Sequence, residues 1–301
     1  MNEADANKEL NDIFDHLMIN SGDSVMLGID MGKIPLPFYP ASLSKEAFRE
    51  REEKWCQFVF NTLLERLGEN GTLLVPTYTY CCGKPGSIFD SNTTRSEIGP
   101  FTEYFRKQPR VIRSLHPLFS IAGIGKHSHE ILTNTGSTAF AMGSPFSRFI
   151  DYGIKFLCLG VEIRNSITYV HHLEQYTGVW HRYNKRFDCE VFDNNIKINR
   201  EWSAFVAFRG IDYTSDISSL QIGLKAEQSL FETKWKGNFN HMALVKDVHK
   251  VGYDLLMKNS LAFVNRNMLF SFDDSESFNS QAKDTGRLVV TVINDSNSET
   301  I

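Results

Sequence analysis

Two residues that can move a proton together stand three positions apart in the chain, His171 and Glu174. Residues 167–177 have the pattern of a helix, on which a spacing of three places both side chains on one face. A carboxylate beside an imidazole orients the ring and stabilises its protonated form, as a general base requires. The adjacent His172 points about 100° away around such a helix. A surface helix with an unrelated His and Glu explains the same residues, so the pair alone leaves both interpretations open.

The pair is a poor match to a metal site. Di-iron bundles use the order Glu-x-x-His in two copies on an all-helical chain. Here the order is reversed, the sequence has no second copy, and strands are predicted throughout. We therefore expect no metal.

Two further segments carry polar groups that suit a ligand. In residues 113–120, Arg113 has the charge to contact phosphates and Ser114 the hydroxyl to bond an amide of an extended ligand. A capped turn with a surface arginine explains the same residues. In residues 178–185, aromatic and cationic side chains such as Trp180 and Arg182 alternate, which suits stacking on a sugar or nucleotide or an amphipathic strand. The glycine-rich residues 122–128 lack the spacing of a P-loop, which argues against a nucleotide hydrolase.

The cysteines show no metal-binding spacing. There are five of them, and no two form a CxxC pair. Reduced thiols of a cytosolic protein are the simplest interpretation. A nucleophile at Cys81 or Cys82 would need a histidine and an acidic partner close in space, a requirement that the sequence alone does not test.

The composition narrows the class of protein. A net charge of -4 does not indicate the basic surface that nucleic-acid-binding proteins present. Residues 1–17 have neither the basic start nor the apolar core of a secretory signal, and no apolar run approaches the length that spans a bilayer. We expect a cytoplasmic protein that acts on a small molecule rather than on nucleic acid or a membrane. The sequence leaves both a monomer and a homodimer open.

The order of predicted elements indicates an α/β layered sheet with an antiparallel section in the second half. One domain is expected over residues 1–272, and a flexible linker with a short strand over residues 273–301. A long loop is expected at 81–94, and such loops are usually functional. The predicted helices are 8–18, 44–67, 99–107, 167–177 and 247–259. The predicted strands are 24–29, 72–76, 118–122, 155–160, 186–192, 196–199, 203–208 and 287–293, with a hairpin around 193–195.

Taken together, these segments resemble the aminoglycoside 3-N-acetyltransferase family, from about residue 23 to residue 256, and most closely its members from bacterial surface-glycan pathways. Where many members carry a Val-His-Ser-Ser strand end, this chain has residues 27–30, Leu-Gly-Ile-Asp. The segment from Met31 to Glu53 also looks longer and differently charged. The matching motifs, in order, are residues 71–77 (GTLLVPT), Phe89-Asp90, Gly99 with Glu103 and Arg106, residues 113–120 (RSLHPLFS), Gly143-Ser144-Pro145, and residues 157–160 leading into Thr168-x-x-His171-x-x-Glu174.

The resemblance implies a three-layer α/β/α fold and direct transfer of an acetyl group from acetyl-coenzyme A to an amine. His171 is then the general base and Glu174 its partner, with oxyanion donors expected from backbone N–H groups near Thr77 or Ser114. The expected donor-binding residues are Thr77, Arg113, Ser114 and Ser120. The expected acceptor-binding residues are Asp30, Tyr78, Asp90, Trp180 and Arg182.

The acceptor stays open at this stage. Acidic groups around the pocket, such as Asp30, Asp90 and Glu174, would favour an aminoglycoside acceptor, and with it antibiotic resistance. Cationic and aromatic groups, such as Trp180, Arg182 and Lys185, would favour a nucleotide-linked amino sugar, as in surface-polysaccharide biosynthesis. A hydrolase in which His171 activates water, and a coenzyme A-binding protein without transferase activity, are the remaining alternatives.

Overall fold

A computed structural model of the chain describes residues 1–40, 44–208 and 214–265, together with the backbone of three C-terminal strands. In this described part, no helix has the length and apolar character to cross a membrane. The helices are α1 (Glu3–His16), α2 (Lys45–Leu67), α3 (Pro100–Phe105), α4 (Ser128–Leu132), α5 (Val170–Thr177), α6 (Ser218–Ala226) and α7 (Val245–Lys258). The strands are β1 (Ser24–Ile29), β2 (Thr72–Pro76), β3 (Ser87–Asp90), β4 (Ile112–Arg113), β5 (Ile121–Gly125), β6 (Lys155–Leu159), β7 (Arg182–Phe187), β8 (Cys189–Asp193), β9 (Ile196–Lys197), β10 (Trp202–Ala207), β11 (Phe231–Trp235), β12 (Asn238–Leu244), β13 (Asn267–Asp273), β14 (Arg287–Asn294) and β15 (Asn297–Thr300).

A mixed seven-stranded sheet of order β11-β12-β6-β1-β2-β5-β4 forms the centre of the fold. Its three inner strands, β6, β1 and β2, run parallel, and antiparallel strands flank them on both sides. The carboxyl ends of the parallel strands therefore meet at one edge of the sheet. In such sheets, that edge is where ligands bind.

Helices cover both faces of this sheet, which confirms the three-layer arrangement. Successive strand residues point to opposite faces, so Val25 and Leu27 of β1 join one apolar core and Met26 joins the other. The first core packs against α1, α2 and α3, and the second against α4 to α7. The parallel strands have continuous apolar sequences because both faces of the sheet are buried at these strands.

Smaller sheets complete the fold. The strands β7 and β10 pair antiparallel, and β3 pairs parallel with β8, which forms the expected hairpin with β9. The backbone of β13, β14 and β15 forms a separate antiparallel sheet. The expected linker at 274–286 lies outside the described residues.

Several predicted boundaries are wrong. The expected loop at 81–94 contains a 3₁₀ turn, Tyr80–Gly83, and β3, because β3 finds its partner a hundred positions away in β8. The expected strand at 118–122 begins three residues later as β5, and the expected strand at 186–192 is divided between β7 and β8. Residues 218–226 and 231–244, where no element is predicted, form α6, β11 and β12.

Candidate active site

The helix α5 brings the predicted pair together. His171 Nδ1 lies 2.6 Å from Glu174 Oε2. His172 points the other way, into the core, where its Nδ1 lies 2.6 Å from the carbonyl oxygen of Phe140. Burial lowers the pKa of His172, so this ring stays neutral at physiological pH. Of the two adjacent histidines, only His171 has a carboxylate partner from α5.

The chain after α5 returns to the same carboxylate. Gly178 ends the helix in the left-handed conformation, with φ of 68°, which glycine adopts without steric cost. This turn brings Arg182 Nε to 2.9 Å from Glu174 Oε2 and His181 Nε2 to 3.5 Å from Oε1. Glu174 therefore has three potentially cationic partners, two of which come from residues beyond the helix.

Burial and charge act in opposite directions on Glu174. Its side chain is 0% exposed, and burial alone would raise its pKa. The positive charge and hydrogen bond of His171, together with His181 and Arg182, outweigh burial, so that the pKa of Glu174 is lowered. The carboxylate is therefore ionised at neutral pH and acts only as a hydrogen-bond acceptor.

The ionised carboxylate fixes the tautomer of His171. Because Glu174 can only accept, Nδ1 of His171 carries the proton and donates it. In the neutral ring, Nε2 is then the nitrogen with the free lone pair, and none of the described residues hydrogen-bonds to it. The side chain of His171 is 23% exposed, while that of Glu174 is fully buried. The arrangement is that of a general base with an oriented, accessible nitrogen.

Two cavities have walls that connect to this histidine through a few intermediate residues. The first, named here the strand-end cavity, has a volume of about 570 Å³ and is lined by residues 27–32 after and within β1, residues 98–102, and Asn165, Ser166 and Thr168. The second, the basic cleft, has a volume of about 300 Å³ and is lined by Tyr80, Gly83, Lys84, Leu118, Tyr183, Lys185, Phe187, Val206 and Ala207. Tyr80 lines both.

A chain of ring contacts connects Tyr80 with the catalytic candidate. The centroids of Tyr80 and Phe119 are 6.2 Å apart, those of Phe119 and Phe140 4.8 Å, and those of Phe140 and His171 5.4 Å. Thr168, whose carbonyl oxygen accepts from the N–H of His171, lines the strand-end cavity. His171 itself lines neither cavity, and these contacts connect it to both through intermediate residues.

Three of the residues expected to bind the donor, Thr77, Arg113 and Ser120, form a cluster in which they hydrogen-bond to one another. Arg113 Nε donates to Thr77 Oγ1 at 3.1 Å and to Ser120 Oγ at 3.0 Å, and its other nitrogens donate to carbonyl oxygens of Thr77, Ser91 and Thr94. Arg113 lines a third cavity, of about 730 Å³, together with Arg106, Lys107 and Arg200. Ser114 is buried, and its hydroxyl accepts from the N–H of Ile121. Contact of these four residues with a donor stays a prediction.

Two backbone N–H groups in the region expected to hold an oxyanion are already occupied. The N–H of Thr77 donates to the carbonyl oxygen of Ser120, and the N–H of Ser114 donates to that of Ile121, both at 2.9 Å. Both groups extend the pairing of the sheet, so neither is available to an oxyanion. A donor near Thr77 or Ser114 must therefore be another backbone N–H group, and this expectation stays a prediction.

The residues expected to bind the acceptor are dispersed. Asp30 lines the strand-end cavity but forms an ion pair with Lys33 at 2.8 Å, and Tyr78 is buried in the wall of that cavity. Asp90 accepts from the N–H groups of Asn92 and Thr93 and so caps its own turn. Trp180 lies in the α5–β7 connection, 38% exposed.

Sequence reasoning missed part of this site. Tyr80 and Lys84 belong to the expected loop at 81–94 or its edge, and nothing local indicates that they meet Tyr183 across a cleft. His181 carries a weak signal, since it lies in the aromatic and cationic segment 178–185. Its contact with Glu174 depends on the turn at Gly178.

The comparisons with known proteins concern the fold and the family of this chain. No curated protein matches the sequence. Among solved structures, aminoglycoside acetyltransferase AAC(3)-IIb is 17% identical over 84% of this chain and 97% of its own, with a TM-score of 0.69. AAC-VIa bound to sisomicin is 16% identical over 86% and 98%, with a TM-score of 0.67. AAC-IIIb in a binary complex with CoASH is 16% identical over 86% and 97%, with a TM-score of 0.64.

These structures share the fold of this chain at low sequence identity. A model of the aminoglycoside 3-N-acetyltransferase family matches residues 42–253, more than half of the 301 residues. The matched range includes His171, Glu174 and the strands β2 and β6 that form the site edge. The chain therefore belongs to the aminoglycoside 3-N-acetyltransferase family and is an acyltransferase.

Proposed function

We propose that this chain transfers an acetyl group directly to an amino group of an aminoglycoside or amino sugar, with His171 as the general base. The acyl donor is acetyl-coenzyme A. The single observation that carries the proposal is the pair of His171 and buried Glu174, in which the outer nitrogen of the imidazole is left open. We expect the enzyme to act in the cytoplasm.

The strand-end cavity fits the pantetheine arm of the donor. That arm is largely aliphatic with two amides, and the cavity wall is largely apolar, with Asn165, Ser166 and Thr168 as hydrogen-bonding groups. Gly28 and Gly32 bring the backbone to the cavity surface without side chains. Thr168 also places the cavity one helical turn from His171. When bound, acetyl-coenzyme A supplies the thioester carbonyl that the acceptor amine attacks.

The chain supplies the proton transfer. An amine on a sugar is mostly protonated at neutral pH and must lose a proton before it can attack. Nε2 of His171 takes that proton, while Nδ1 stays bound to Glu174 and the buried carboxylate stabilises the resulting imidazolium. Arg182 and His181 hold the carboxylate in place.

The charge around the site favours a second, finer candidate for the acceptor. A polycationic aminoglycoside requires free carboxylates, but Glu174 is buried among its partners, Asp30 is paired with Lys33, and Asp90 caps a turn. The basic cleft instead presents Lys84 and Lys185, with the rings of Tyr80 and Tyr183. Cationic groups beside aromatic rings suit a phosphate next to a base. We therefore infer that a nucleotide-linked amino sugar is the acceptor class that this cleft fits.

The test is release of free thiol from acetyl-coenzyme A across a panel of aminoglycosides and nucleotide-linked amino sugars. A blank without acceptor and the His171→Ala variant complete each series. Thiol release that depends on an amine and is lost in His171→Ala supports the transferase. Release that is independent of the acceptor would indicate a hydrolase, and binding of coenzyme A without release an inactive binding protein.

The acceptor class is tested with Lys185→Ala. Loss of one charge-assisted hydrogen bond should raise KM for a nucleotide-linked acceptor about tenfold and leave KM for an aminoglycoside unchanged. Lys250→Ala is the matched control, because Lys250 lies on α7 and pairs with Glu227. An unchanged KM for the nucleotide-linked acceptor in Lys185→Ala, or turnover of aminoglycosides alone, would overturn this assignment and leave the transferase itself intact.

A further inference from the structure

Two cysteines lie together beside the basic cleft, outside the proton-transfer site. Cys82 belongs to the 3₁₀ turn Tyr80–Gly83 and is buried, while Cys189 begins β8 and is half-buried. The Cys82 thiol donates to the carbonyl oxygen of Ile88 at 3.7 Å and the Cys189 thiol to that of Glu190 at 3.6 Å. The two residues nevertheless shift each other's pKa, although they are more than a hundred positions apart. Both belong to one small apolar cluster, which also contains Phe89 and Trp202.

The backbone holds the two segments in this arrangement. Ser87 of β3 pairs with Cys189 of β8 in the parallel register, and the hydroxyl of Ser87 donates to the carbonyl oxygen of Cys82 at 2.8 Å. The N–H of Gly86 donates to the carbonyl oxygen of Asp188 at 3.0 Å. The turn that carries Cys82 is therefore fixed against the start of β8 on both sides of the thiol pair.

The surroundings of the two cysteines shift the pKa values of their thiols in opposite directions. The neighbouring Cys82 thiol lowers the pKa of Cys189 to about 7, with help from the N–H of Phe89 and against the effect of burial. The neighbouring Cys189 and burial raise the pKa of Cys82. At neutral pH, about half of Cys189 is thus a half-exposed thiolate, close to a buried thiol. A thiolate with a thiol in contact is the arrangement that redox-sensing cysteines use.

We propose that Cys82 and Cys189 are a reversible redox pair, which a peroxide converts into a disulfide that ties the Tyr80–Gly83 turn to β8. The Cys189 thiolate attacks one peroxide oxygen and becomes a sulfenic acid, and the other oxygen leaves as water after taking a proton. The Cys82 sulfur then attacks the sulfenic sulfur, and its proton leaves with the hydroxyl as a second water. Two electrons pass from the two sulfurs to the peroxide, and a dithiol returns them.

The disulfide acts on the wall of the basic cleft. The same turn carries Tyr80 and Gly83, and Lys84 follows it directly; all three line the cleft. Phe187, which also lines the cleft, stands two residues before Cys189. Because a disulfide holds its two Cα atoms within a narrow range of distances, the covalent bond fixes the turn and the start of β8 relative to each other. Oxidation therefore lowers turnover of the acceptor.

The experiment treats the purified full-length enzyme with hydrogen peroxide, maps disulfides by mass spectrometry of the unreduced digest, and measures turnover before and after dithiothreitol. We expect a peptide pair joined through Cys82 and Cys189, a several-fold loss of turnover, and recovery of both on reduction. Cys189→Ser should keep the untreated activity and resist the loss, and Cys82→Ser should stop at a sulfenic acid on Cys189. Cys81→Ser is the matched control and should behave as the wild type.

Each measurement can overturn the proposal separately. The absence of a Cys82–Cys189 peptide after peroxide treatment, or its replacement by pairs that involve the exposed Cys81, would refute the redox pair. A disulfide that forms without loss of turnover would refute its action on the cleft. The mass measurement does not depend on the proposed acetyl transfer, so a failure of that function would be recognised separately.

Discussion

Glu103 and Glu174 are both buried carboxylates bound by an arginine, and they differ in the origin of their partners. Glu103 is held by Arg106 through two hydrogen bonds, by Lys107, and by the N–H of Ser96. All of these lie within seven positions of it along the chain. The Glu103 cluster is therefore built from one local segment, with permanently charged partners.

Glu174 combines a local partner with distant ones and with a group that can change its charge. His171 lies three positions before it on α5, while His181 and Arg182 return from the next strand. His171 keeps one nitrogen open to solvent, whereas the guanidinium of Arg106 is occupied by Glu103 and by the carbonyl oxygens of Asn92 and Thr93. The comparison teaches that a buried ion pair becomes a candidate for catalysis when one partner is titratable and exposed. An ion pair whose groups are all already hydrogen-bonded within the protein contributes to stability alone.

The largest difference between the clusters should appear in His171→Ala. Loss of the general base should lower kcat by about 10²- to 10⁴-fold. The melting temperature should fall only slightly, because Glu174 loses one partner and keeps His181 and Arg182. Steady-state thiol release and thermal unfolding measure the two effects. His129→Ala, an exposed histidine on α4, is the control, and near-normal kcat in His171→Ala at saturating substrate would refute the base assignment.

Glu174→Gln should affect both catalysis and stability. The neutral amide no longer compensates Arg182 and no longer stabilises a protonated His171, so we expect kcat to fall about 10²-fold. The free energy of unfolding should fall by about 3 kcal/mol, because a buried charge loses its partner. Kinetics and urea unfolding of the same preparation provide both values. A loss of stability with unchanged kcat would show that Glu174, like Glu103, contributes only to stability and not to catalysis.

Glu103→Gln should act on stability alone. Breaking this nearly buried ion pair should lower the free energy of unfolding by about 2 kcal/mol, with kcat within about twofold of the wild type, since none of its partners contacts His171. Urea unfolding and thiol release measure the two effects. A large loss of kcat at unchanged stability would contradict the contrast between the two clusters.

The smallest effect concerns acid stability. Burial raises the pKa of Glu103, but Arg106, Lys107 and the N–H of Ser96 outweigh it and lower the pKa from 4.5 to about 2. A lowered pKa in the folded state gives stability that is complete above 4.5 and is lost as the pH falls towards 2. The difference in unfolding free energy between wild type and Glu103→Gln should therefore shrink across this window. A constant difference at all pH values would show that the ion pair does not cause it.

The sequence predicts the local parts of the site better than the parts assembled over distance. His171 and Glu174 meet because helical geometry is local. The helix α2 also begins at the predicted boundary, where Ser44 accepts from the N–H of Ala47 at 3.1 Å. The apolar runs of β1, β2 and β6 are recognisable because both faces of these strands are buried.

Other parts depend on partners that no local pattern reveals. The strand β3 lies in a segment rich in Gly, Pro and Ser, and it is a strand only because β8 pairs with it. The basic cleft joins Lys84 with Lys185 from segments a hundred positions apart. The closed cluster of Arg113, Thr77 and Ser120 likewise forms across the sheet edge, so the sequence alone did not separate a ligand contact from an internal one.

The end of β1 limits which sequences this fold can accept. A methyl group on Gly28 would lie 1.7 Å from the hydroxyl oxygen of Ser166, and rotation of that hydroxyl would still leave it 3.0 Å from the Cβ atom of Ser166. Relatives with a larger side chain at position 28 should therefore have a smaller one at position 166. The two positions are expected to covary through evolution, and an exchange that moves the side chain from 166 to 28 should be tolerated only when both changes are made together.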